Sequence, residues 1–322
     1  MPPEHHIGTK FRNLEGAFKP SFGGLLRWIF RRRPKPWLAP AANNSHPPPP
    51  ASVAPGDLAV TFIGHSSFLL QFSGSAVLMD PIFSERASPV SWAGPKRVRP
   101  PGLNFEQLPR IDLVLLSHDH YDHMDIHALR RLREAFHPLF VSGLNNGAIL
   151  RSLKIDAPVE LDWWQSHRVN DNTTVTMTPA QHFSGRRPWG RNGTLWGGFV
   201  LETEGWRVYF AGDSGYAGLF RDIGRRFPGL DLAFIPIGAY MPRWFMSPVH
   251  MDPAEAVQAH LDVGARQSIA MHFGTFQLTD EPIDEPVQWL ERARAEKGLA
   301  PEQFCALEPG QTLLCRKPAP RH

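Results

Sequence analysis

The chain has 322 residues, of which 42% are hydrophobic, and this length suits one large α/β domain or two small ones. Its two cysteines, Cys305 and Cys315, exclude a disulfide framework and a cysteine-rich zinc fold. One disulfide between them stays possible, but we expect free thiols in a reducing compartment. The net charge of +3 is uneven, because residues 1–40 carry +6 and the remainder carries −3. No apolar run of about 18 residues occurs, so neither a transmembrane helix nor a usual signal peptide is predicted.

The first forty residues form a basic, aromatic N-terminal segment. Their spacing predicts a short helix whose apolar face contains Leu25, Leu26, Ile29 and Phe30, with Trp28 beside it and Arg31, Arg32 and Arg33 at its end. Such a helix fits an anionic lipid surface, but the same face could instead dock on the body of the protein. The rest of the chain has no further basic stripe, so we do not expect a nucleic-acid partner.

A proline-rich stretch follows, with eight prolines from Pro34 to Pro55, and we interpret residues 41–56 as a linker. A globular domain is expected at residues 57–318. Its first predicted strands lie at residues 58–63, 68–72 and 76–79. Asp80, at the end of the third, either orients a metal-bound histidine or forms a turn, and His65, after the first, is either a substrate-side group or a turn residue.

A histidine-rich stretch, Ser117–His123, follows a buried strand predicted at residues 111–116 and precedes a helix that begins at Asp125. The stretch therefore lies on a loop at the end of a strand. A long loop at residues 84–102, rich in proline, is expected near the rim of a pocket.

The spacing within this stretch predicts two adjacent metal ions. Side chains two apart on an extended segment point the same way, so His118 and His120 can share one ion, while Asp122 and His123 offer a second pair. Imidazole nitrogens combined with one carboxylate suit zinc best, with iron or manganese as substitutes.

Three more predicted strands, at residues 173–179, 205–211 and 268–271, end close to His182, Asp213 and His272 respectively. A fourth strand, at residues 232–238, leads into an aromatic loop, and a helix is predicted from Asp252 to Gly264. His260, inside that helix, is expected to be structural.

The ordered pattern His118-x-His120-x-Asp122-His123, then His182, Asp213 and His272, resembles the metallo-β-lactamase superfamily. The resemblance implies an α/β fold, an αββα sandwich with a dinuclear metal site at the sheet edges. Longer sequence motifs around this pattern give a closer resemblance to the N-acylphosphatidylethanolamine-hydrolysing phospholipase D family. These motifs lie at residues 80–89, 94–97, 161–164, 235–240, 242–246 and 272–276. The chain departs from that family in the N-terminal segment and at residues 184–194.

This resemblance implies two zinc ions per chain and assigns their ligands. His118, His120 and His182 would hold one zinc, Asp122, His123 and His272 the other, and Asp213 would bridge them. Asp122 and Asp213 would also act as catalytic residues that orient the attacking hydroxide.

The implied reaction is hydrolysis of N-acylphosphatidylethanolamine to phosphatidic acid and an N-acylethanolamine. Substrate contacts are expected from His65, Tyr240, Arg243, Trp244, Phe245 and Met246. Arg243 could pair with the phosphate, although an internal salt bridge would use the same chemistry. Phe183, Trp189 and Trp196 would line an acyl channel or belong to the core.

The expected partners are a phospholipid substrate and an anionic membrane contacted by the N-terminal segment, in a cytoplasmic, peripherally membrane-associated protein; homodimer formation stays open. Two alternative functions also stay open. One is a metal-dependent lactonase acting on a sugar phosphate or another small ester, and the other is a non-enzymatic, metal-stabilised membrane-binding scaffold. A bridging Asp213 and the lack of a ligand-like cysteine favour phosphoester chemistry.

Overall fold

In the computed structural model, the described residues are 4–16, 22–35, 37, 43–186 and 190–317. The helices are α1 (Phe22–Arg31), α2 (Ile126–Phe136), α3 (Gly147–Ser152), α4 (Leu219–Arg226), α5 (Arg243–Met246), α6 (Pro253–Val263) and α7 (Glu285–Glu296). The strands are β1 (His6–Ile7), β2 (Lys10–Phe11), β3 (Asp57–Gly64), β4 (Ser67–Gln71), β5 (Ala76–Met79), β6 (Leu113–Leu116), β7 (Leu139–Gly143), β8 (Val159–Leu161), β9 (Ser166–Asn170), β10 (Thr173–Thr178), β11 (Gly198–Thr203), β12 (Trp206–Phe210), β13 (Leu232–Pro236), β14 (Gln267–Met271), β15 (Phe304–Cys305) and β16 (Thr312–Arg316).

Two seven-stranded sheets organise the molecule. The first has the strand order β16-β3-β4-β5-β6-β7-β8, and the second has the order β15-β14-β13-β12-β11-β10-β9. One half of each sheet is antiparallel and the other half is parallel. In the first sheet β16, β3, β4 and β5 pair antiparallel and β5 to β8 pair parallel, and in the second sheet β9 to β12 pair antiparallel and β12 to β15 pair parallel. The interior parallel strands β6 and β13 are buried along their length, as expected for strands covered on both faces.

The core lies between the sheets and continues under helices on both outer faces. Phe68 of the first sheet contacts Phe234 of the second, with ring centroids 4.6 Å apart. Helices α4, α6 and α7 pack together outside the second sheet, and Leu129, Leu132 and Leu150 of α2 and α3 join the core of the first sheet. This arrangement confirms the predicted αββα sandwich.

Two helices begin where the sequence predicts, because their caps are local. Asp125 precedes α2 and accepts hydrogen bonds from the backbone N–H groups of His127 and Ala128. Asp252 and Glu255 form a capping box at the start of α6. The eight predicted strands are also confirmed, to within two residues at each end.

The helix predicted in the N-terminal segment is present as α1, and it contacts the body. Trp28 stacks on Phe245 with centroids 5.3 Å apart, and Arg32 forms an ion pair with Asp280 at 3.1 Å. Phe30 is 81% exposed. The side chains of three residues predicted on the apolar face lie outside the described part of the chain, namely Leu25, Leu26 and Ile29.

The described part of the proline-rich stretch, residues 43–56, contains no helix or strand and lies against the body. The Asn44 side chain donates to the carboxylate of Glu308, and Gln71 donates to the carbonyl oxygen of Pro50. Cys305 and Cys315 are free thiols, as predicted. Within the described ranges, no helix is long and apolar enough to cross a membrane.

Candidate metal centre

The seven predicted metal ligands come together at one edge of the sandwich. Four strands deliver them: β6 ends before His118, β10 before His182, β12 before Asp213 and β14 before His272. The carboxyl ends of parallel strands meet at one edge of a sheet, so ligands from both sheets converge there.

Three imidazoles form the first ligand group. His120 places its Nδ1 2.8 Å from Nε2 of His118 and 3.3 Å from Nε2 of His182. The three nitrogen atoms lie within 4.8 Å of one another, which is a spacing that one ion could bridge.

Asp122, His123 and His272 form the second ligand group. Oδ2 of Asp122 lies 3.6 Å from Nε2 of His123 and 3.4 Å from Nε2 of His272. This mixed set of one carboxylate and two imidazoles differs from the all-histidine first group and still suits the same borderline metals.

Asp213 lies between the two groups. Its Oδ2 is 3.1 Å from Nε2 of His272 and 3.2 Å from Nε2 of His123, and it is 3.8 Å and 4.0 Å from Nε2 of His182 and of His118. One oxygen atom therefore reaches both ligand groups, which is the arrangement of a bridging ligand.

Asp213 is held in place by the residue before it. Gly212 has a φ of 61°, and a Cβ added there would lie 2.7 Å from the carbonyl oxygen of Gly197 and 2.9 Å from Cβ of Ser117. A larger residue would be strained and would push Asp213 away from the loop that carries the histidines.

Asp80 orients one ligand in each group. Its Oδ2 accepts a hydrogen bond from Nδ1 of His123 over 2.7 Å and another from Oγ of Ser117 over 2.5 Å. Oγ of Ser117 in turn lies 2.9 Å from Nδ1 of His118. Both rings therefore direct Nε2 towards the centre, and of the two interpretations offered for Asp80 the structure supports the orienting one.

The residues present fit a divalent metal. Among the described residues, Nε2 of His123, Nε2 of His272 and Oδ1 of Asp213 are buried without a hydrogen-bond partner. Burial lowers the pKa of His118 and of His182 well below the usual range of histidine, which leaves the neutral, ligating form. Buried polar atoms without partners are costly, and a cation would satisfy them.

The shifted pKa values of Asp213 and His272 also fit a site for a cation. Burial raises the pKa of Asp213, but His123 and His272 more than offset it and hold that pKa well below its usual range. Burial lowers the pKa of His272, yet Asp213 and Asp122 outweigh it and raise that pKa to about 9. In the metal-free protein, protons on histidine therefore occupy positions that a metal would take.

Two of the predicted substrate contacts, His65 and Tyr240, are buried and have partners within the protein. Nε2 of His65 lies 3.0 Å from Oδ2 of Asp122, so the ring stands beside the second ligand group. Tyr240 donates its hydroxyl to Glu285 over 3.0 Å and packs against Trp289.

Arg243 takes the internal role that the sequence left open. Its Nη2 donates to Oε2 of Glu255 over 2.6 Å, its Nη1 donates to the carbonyl oxygen of His250 over 2.9 Å, and its Nε lies 3.3 Å from Asp252. With these partners taken, the guanidinium is a structural clamp between α5 and α6, which corrects the predicted phosphate contact.

The remaining predicted contacts divide between surface and core. Trp244 is 49% exposed, with the Arg27 guanidinium 4.7 Å above its ring, whereas Met246 is buried. Phe245 is half-buried under the indole of Trp28.

The three predicted channel residues also differ from one another. Phe183 lies beside the first ligand group, 4.6 Å from the ring of His120. Trp196 is buried and donates to the carbonyl oxygen of Ala180, so it belongs to the core. Trp189 lies outside the described residues.

His250 is a site residue that the sequence analysis missed. Its ring centroid lies 5.0 Å from that of His182 and 5.3 Å from that of His272, so it stands beside both ligand groups. Burial lowers its pKa to about 4, so its ring is neutral near pH 7. It lies on a loop without strand periodicity, and no local signal marked it.

Comparisons with known proteins bear on this centre. Residues 75–273, which include all seven ligand positions, match a family model described as "Beta-lactamase superfamily domain". An uncharacterized protein of Mycobacterium tuberculosis is 45% identical over 238 residues, covering 72% of this chain and 63% of that protein. The chain therefore matches less than two thirds of the length of this relative.

Two further similarities concern sequence and fold. The N-acyl-phosphatidylethanolamine-hydrolyzing phospholipase D 1 of Caenorhabditis elegans is 38% identical over 266 residues, covering 79% of this chain and 75% of that protein. The structure of a metallo hydrolase from the archaeon Ignicoccus hospitalis aligns with a TM-score of 0.62 at 22% identity, covering 81% of this chain and 100% of the other. At that identity the match shows the fold alone.

Proposed function

The chain belongs to the β-lactamase superfamily of metallo-hydrolases, and from that premise we propose that it is a dizinc phosphodiesterase that hydrolyses N-acylphosphatidylethanolamine-type phospholipids. The observation that carries the proposal is Oδ2 of Asp213, which lies within 4.0 Å of ligand nitrogens from both groups. Paired metals are suited to phosphodiesters, because both the attacking and the leaving oxygen need stabilising.

In this proposal His118, His120 and His182 would hold one zinc, and Asp122, His123 and His272 would hold the other. Zinc bound there would supply a nucleophilic water near neutral pH and positive charge to offset the charge that develops on the phosphoryl oxygens. The reaction forms a bond between the water oxygen and phosphorus and breaks the bond from phosphorus to the ethanolamine oxygen. Phosphatidic acid and N-acylethanolamine are the products.

The chain's own residues orient the reacting groups. Oδ1 of Asp213 is buried and has no partner among the described residues, so it can accept a hydrogen bond from the attacking water. Asp122 is fixed from behind by Nε2 of His65, which keeps its carboxylate turned towards the second ligand group. The neutral ring of His250, beside both groups, can donate one hydrogen bond to a substrate oxygen.

The lipid part of the proposal rests on the relative's activity and on the surface near the centre. Trp244 and Phe30 are exposed, and Arg27, Arg31 and Arg33 are exposed on or just after α1. Aromatic and basic side chains on one short helix and its docking loop fit an anionic lipid surface. This surface would bring the centre to its substrate without a membrane-spanning segment.

The decisive experiment is product analysis by mass spectrometry. The zinc-loaded protein is incubated in separate reactions with N-acylphosphatidylethanolamine, a sugar-phosphate lactone and a β-lactam. We expect phosphatidic acid and N-acylethanolamine from the lipid, and none from a His118→Ala/His272→Ala double variant. Turnover of the lactone alone would favour the lactonase alternative, and no turnover with two bound zinc ions would favour a non-enzymatic scaffold.

Membrane binding needs its own test with the full-length chain. An Arg31→Gln/Arg33→Gln double variant should weaken co-sedimentation with vesicles of phosphatidylserine and phosphatidylcholine, because each basic group near such a surface contributes about 1 kcal/mol. Arg110→Gln is the matched control, since Arg110 is 82% exposed and lies at the opposite end of β6 from the centre. Equal losses for both variants would argue against a membrane role for α1.

A further inference from the structure

An N-terminal strap, defined as residues 4–16, reaches the metal centre from far outside the matched domain. The segment forms the small β1–β2 hairpin and then continues over the loop that follows β10. It is held there at several points: Phe11 is buried in the main core and its N–H donates to the carbonyl oxygen of Asn192 over 2.9 Å.

Asp162 binds the first residues of the strap to the body of the protein. Nε2 of His5 lies 2.6 Å from Oδ1 of Asp162, and Nε2 of His6 lies 2.9 Å from Oδ2. The ring of His5 stacks on Trp163 with centroids 4.4 Å apart. Polar and aromatic contacts therefore hold the first part of the strap on the body, and its later residues contact the loop that carries His182.

Asn13 is the strap residue that meets a proposed ligand. Its Nδ2 donates to the carbonyl oxygen of His182 over 2.9 Å, and its Oδ1 accepts from the N–H of His182 over 3.1 Å. Oδ1 also accepts from Nε1 of Trp196 over 3.2 Å, and Asn13 itself is only 9% exposed. One amide side chain thus satisfies both backbone groups of a buried loop residue.

These contacts matter because His182 lies beyond the last paired residue of β10. Within the described ranges no strand pairs with His182, and buried backbone groups without partners are strongly disfavoured. The ring is fixed separately, since its Nδ1 lies 2.9 Å from the carbonyl oxygen of Val249. Asn13 holds the backbone and Val249 the ring, and together they direct Nε2 towards His120.

We propose that Asn13 is a positioning residue for the metal centre and that the N-terminal strap sets the metal affinity of the group formed by His118, His120 and His182. The inference rests on the proposed metal centre but not on the identity of the substrate. It extends the site to Asn13, which lies more than 60 residues before residue 75, where the match to the family model begins.

The test is zinc titration of the metal-free protein against a chromophoric chelator, which resolves two affinities without any substrate. Asn13→Ala should weaken one site 10- to 100-fold, the range seen when a group that orients a ligand is lost. Asn13→Asp keeps the size of the side chain and the Oδ1 acceptor but lacks the donor to the carbonyl oxygen of His182. It should therefore weaken the same site, and it replaces the alanine variant if that variant does not fold.

Three references identify the site that is affected. His182→Ala should weaken the same site as the Asn13 variants, and His272→Ala should weaken the other. Leu14→Ala, which changes a 45%-exposed neighbour in the strap, should leave both affinities unchanged. A folded Asn13 variant with wild-type affinities, or with equal losses at both sites, would overturn the inference. A wild-type protein that binds no zinc would instead overturn the metal centre itself.

Discussion

Nδ1 of His123 donates to Oδ2 of Asp80 over 2.7 Å, and both side chains are fully buried. Because Asp80 also reaches His118 through Oγ of Ser117, one carboxylate controls the ring orientation of a ligand in each group. Asp80 therefore links the two ligand groups without belonging to either.

Asp80→Asn should lower the affinity of both metal sites by 10- to 100-fold. Oδ2 of Asp80 accepts from Nδ1 of His123 and Oγ of Ser117, and Oδ1 accepts from the N–H of Ser117, so an amide NH2 in either position would face a hydrogen-bond donor. Chelator competition measures both affinities. Asp112→Asn is the matched control, because Asp112 lies at the opposite end of β6, where its carboxylate accepts from the N–H of Ala76. An Asp80 variant that loses only one metal would show that the Ser117 relay has no role.

The ligand assignment predicts selective losses. His182→Ala removes a nitrogen only from the all-histidine group, and His272→Ala removes one only from the group that contains Asp122. Elemental analysis should give about two zinc ions for the wild-type chain and about one for each variant, after dialysis against a weak chelator. Retention of two ions by both variants, with full activity, would contradict the dinuclear assignment.

The convergence of the seven candidate ligands was predictable because they lie on loops that follow strands indicated by their own local sequence. β6 pairs parallel with a strand on each side and is buried throughout, and its sequence, Leu-Val-Leu-Leu, is continuous in apolar residues. β14 ends in a shorter apolar run, Ile-Ala-Met. β9 is different: its residues alternate between exposed and half-buried, and its sequence, Ser-His-Arg-Val-Asn, has no apolar face. β16 pairs with β3 across more than 240 residues of sequence, and nothing local indicates that partner.

The substrate contacts were less predictable, because composition does not reveal burial. Tyr240 and Trp196 suit a lipid channel as well as a core, and both belong to the core in the structure. An arginine such as Arg243 can bind a phosphate or a carboxylate. In the structure its guanidinium pairs with the carboxylate of Glu255. The contact between Asn13 and His182 joins residues 169 positions apart, a distance that no motif spans.

Arg243→Gln tests the corrected role of that residue. Its loss leaves Glu255 and the carbonyl oxygen of His250 without their partner, so we expect a decrease of about 1–2 kcal/mol in the free energy of unfolding. The KM for a soluble phosphodiester should change little. Urea denaturation and steady-state kinetics measure the two quantities, with Arg110→Gln as the surface control. A large rise in KM at unchanged stability would restore the phosphate contact.

His260 provides a prediction about pH that does not involve the metal centre. It is buried on α6, its Nδ1 lies 2.8 Å from Oγ of Ser268, and burial lowers its pKa to about 4. The unfolded chain has a histidine pKa near 6.5, so between pH 6.5 and 4 it binds a proton that the folded chain does not. This group therefore favours folding above about pH 6.5, and its contribution is lost as the pH falls towards 4.

His260→Leu should remove that pH dependence while keeping an apolar side chain of similar reach. The difference in unfolding free energy between wild type and variant should therefore shift in favour of the variant as the pH falls, by up to about 3 kcal/mol between pH 7 and 4. Urea denaturation at pH 7, 6, 5 and 4 measures this difference, and the metal ligands contribute equally to both proteins. A difference that stays constant with pH would mean that His260 is protonated in the folded protein as readily as in the unfolded chain.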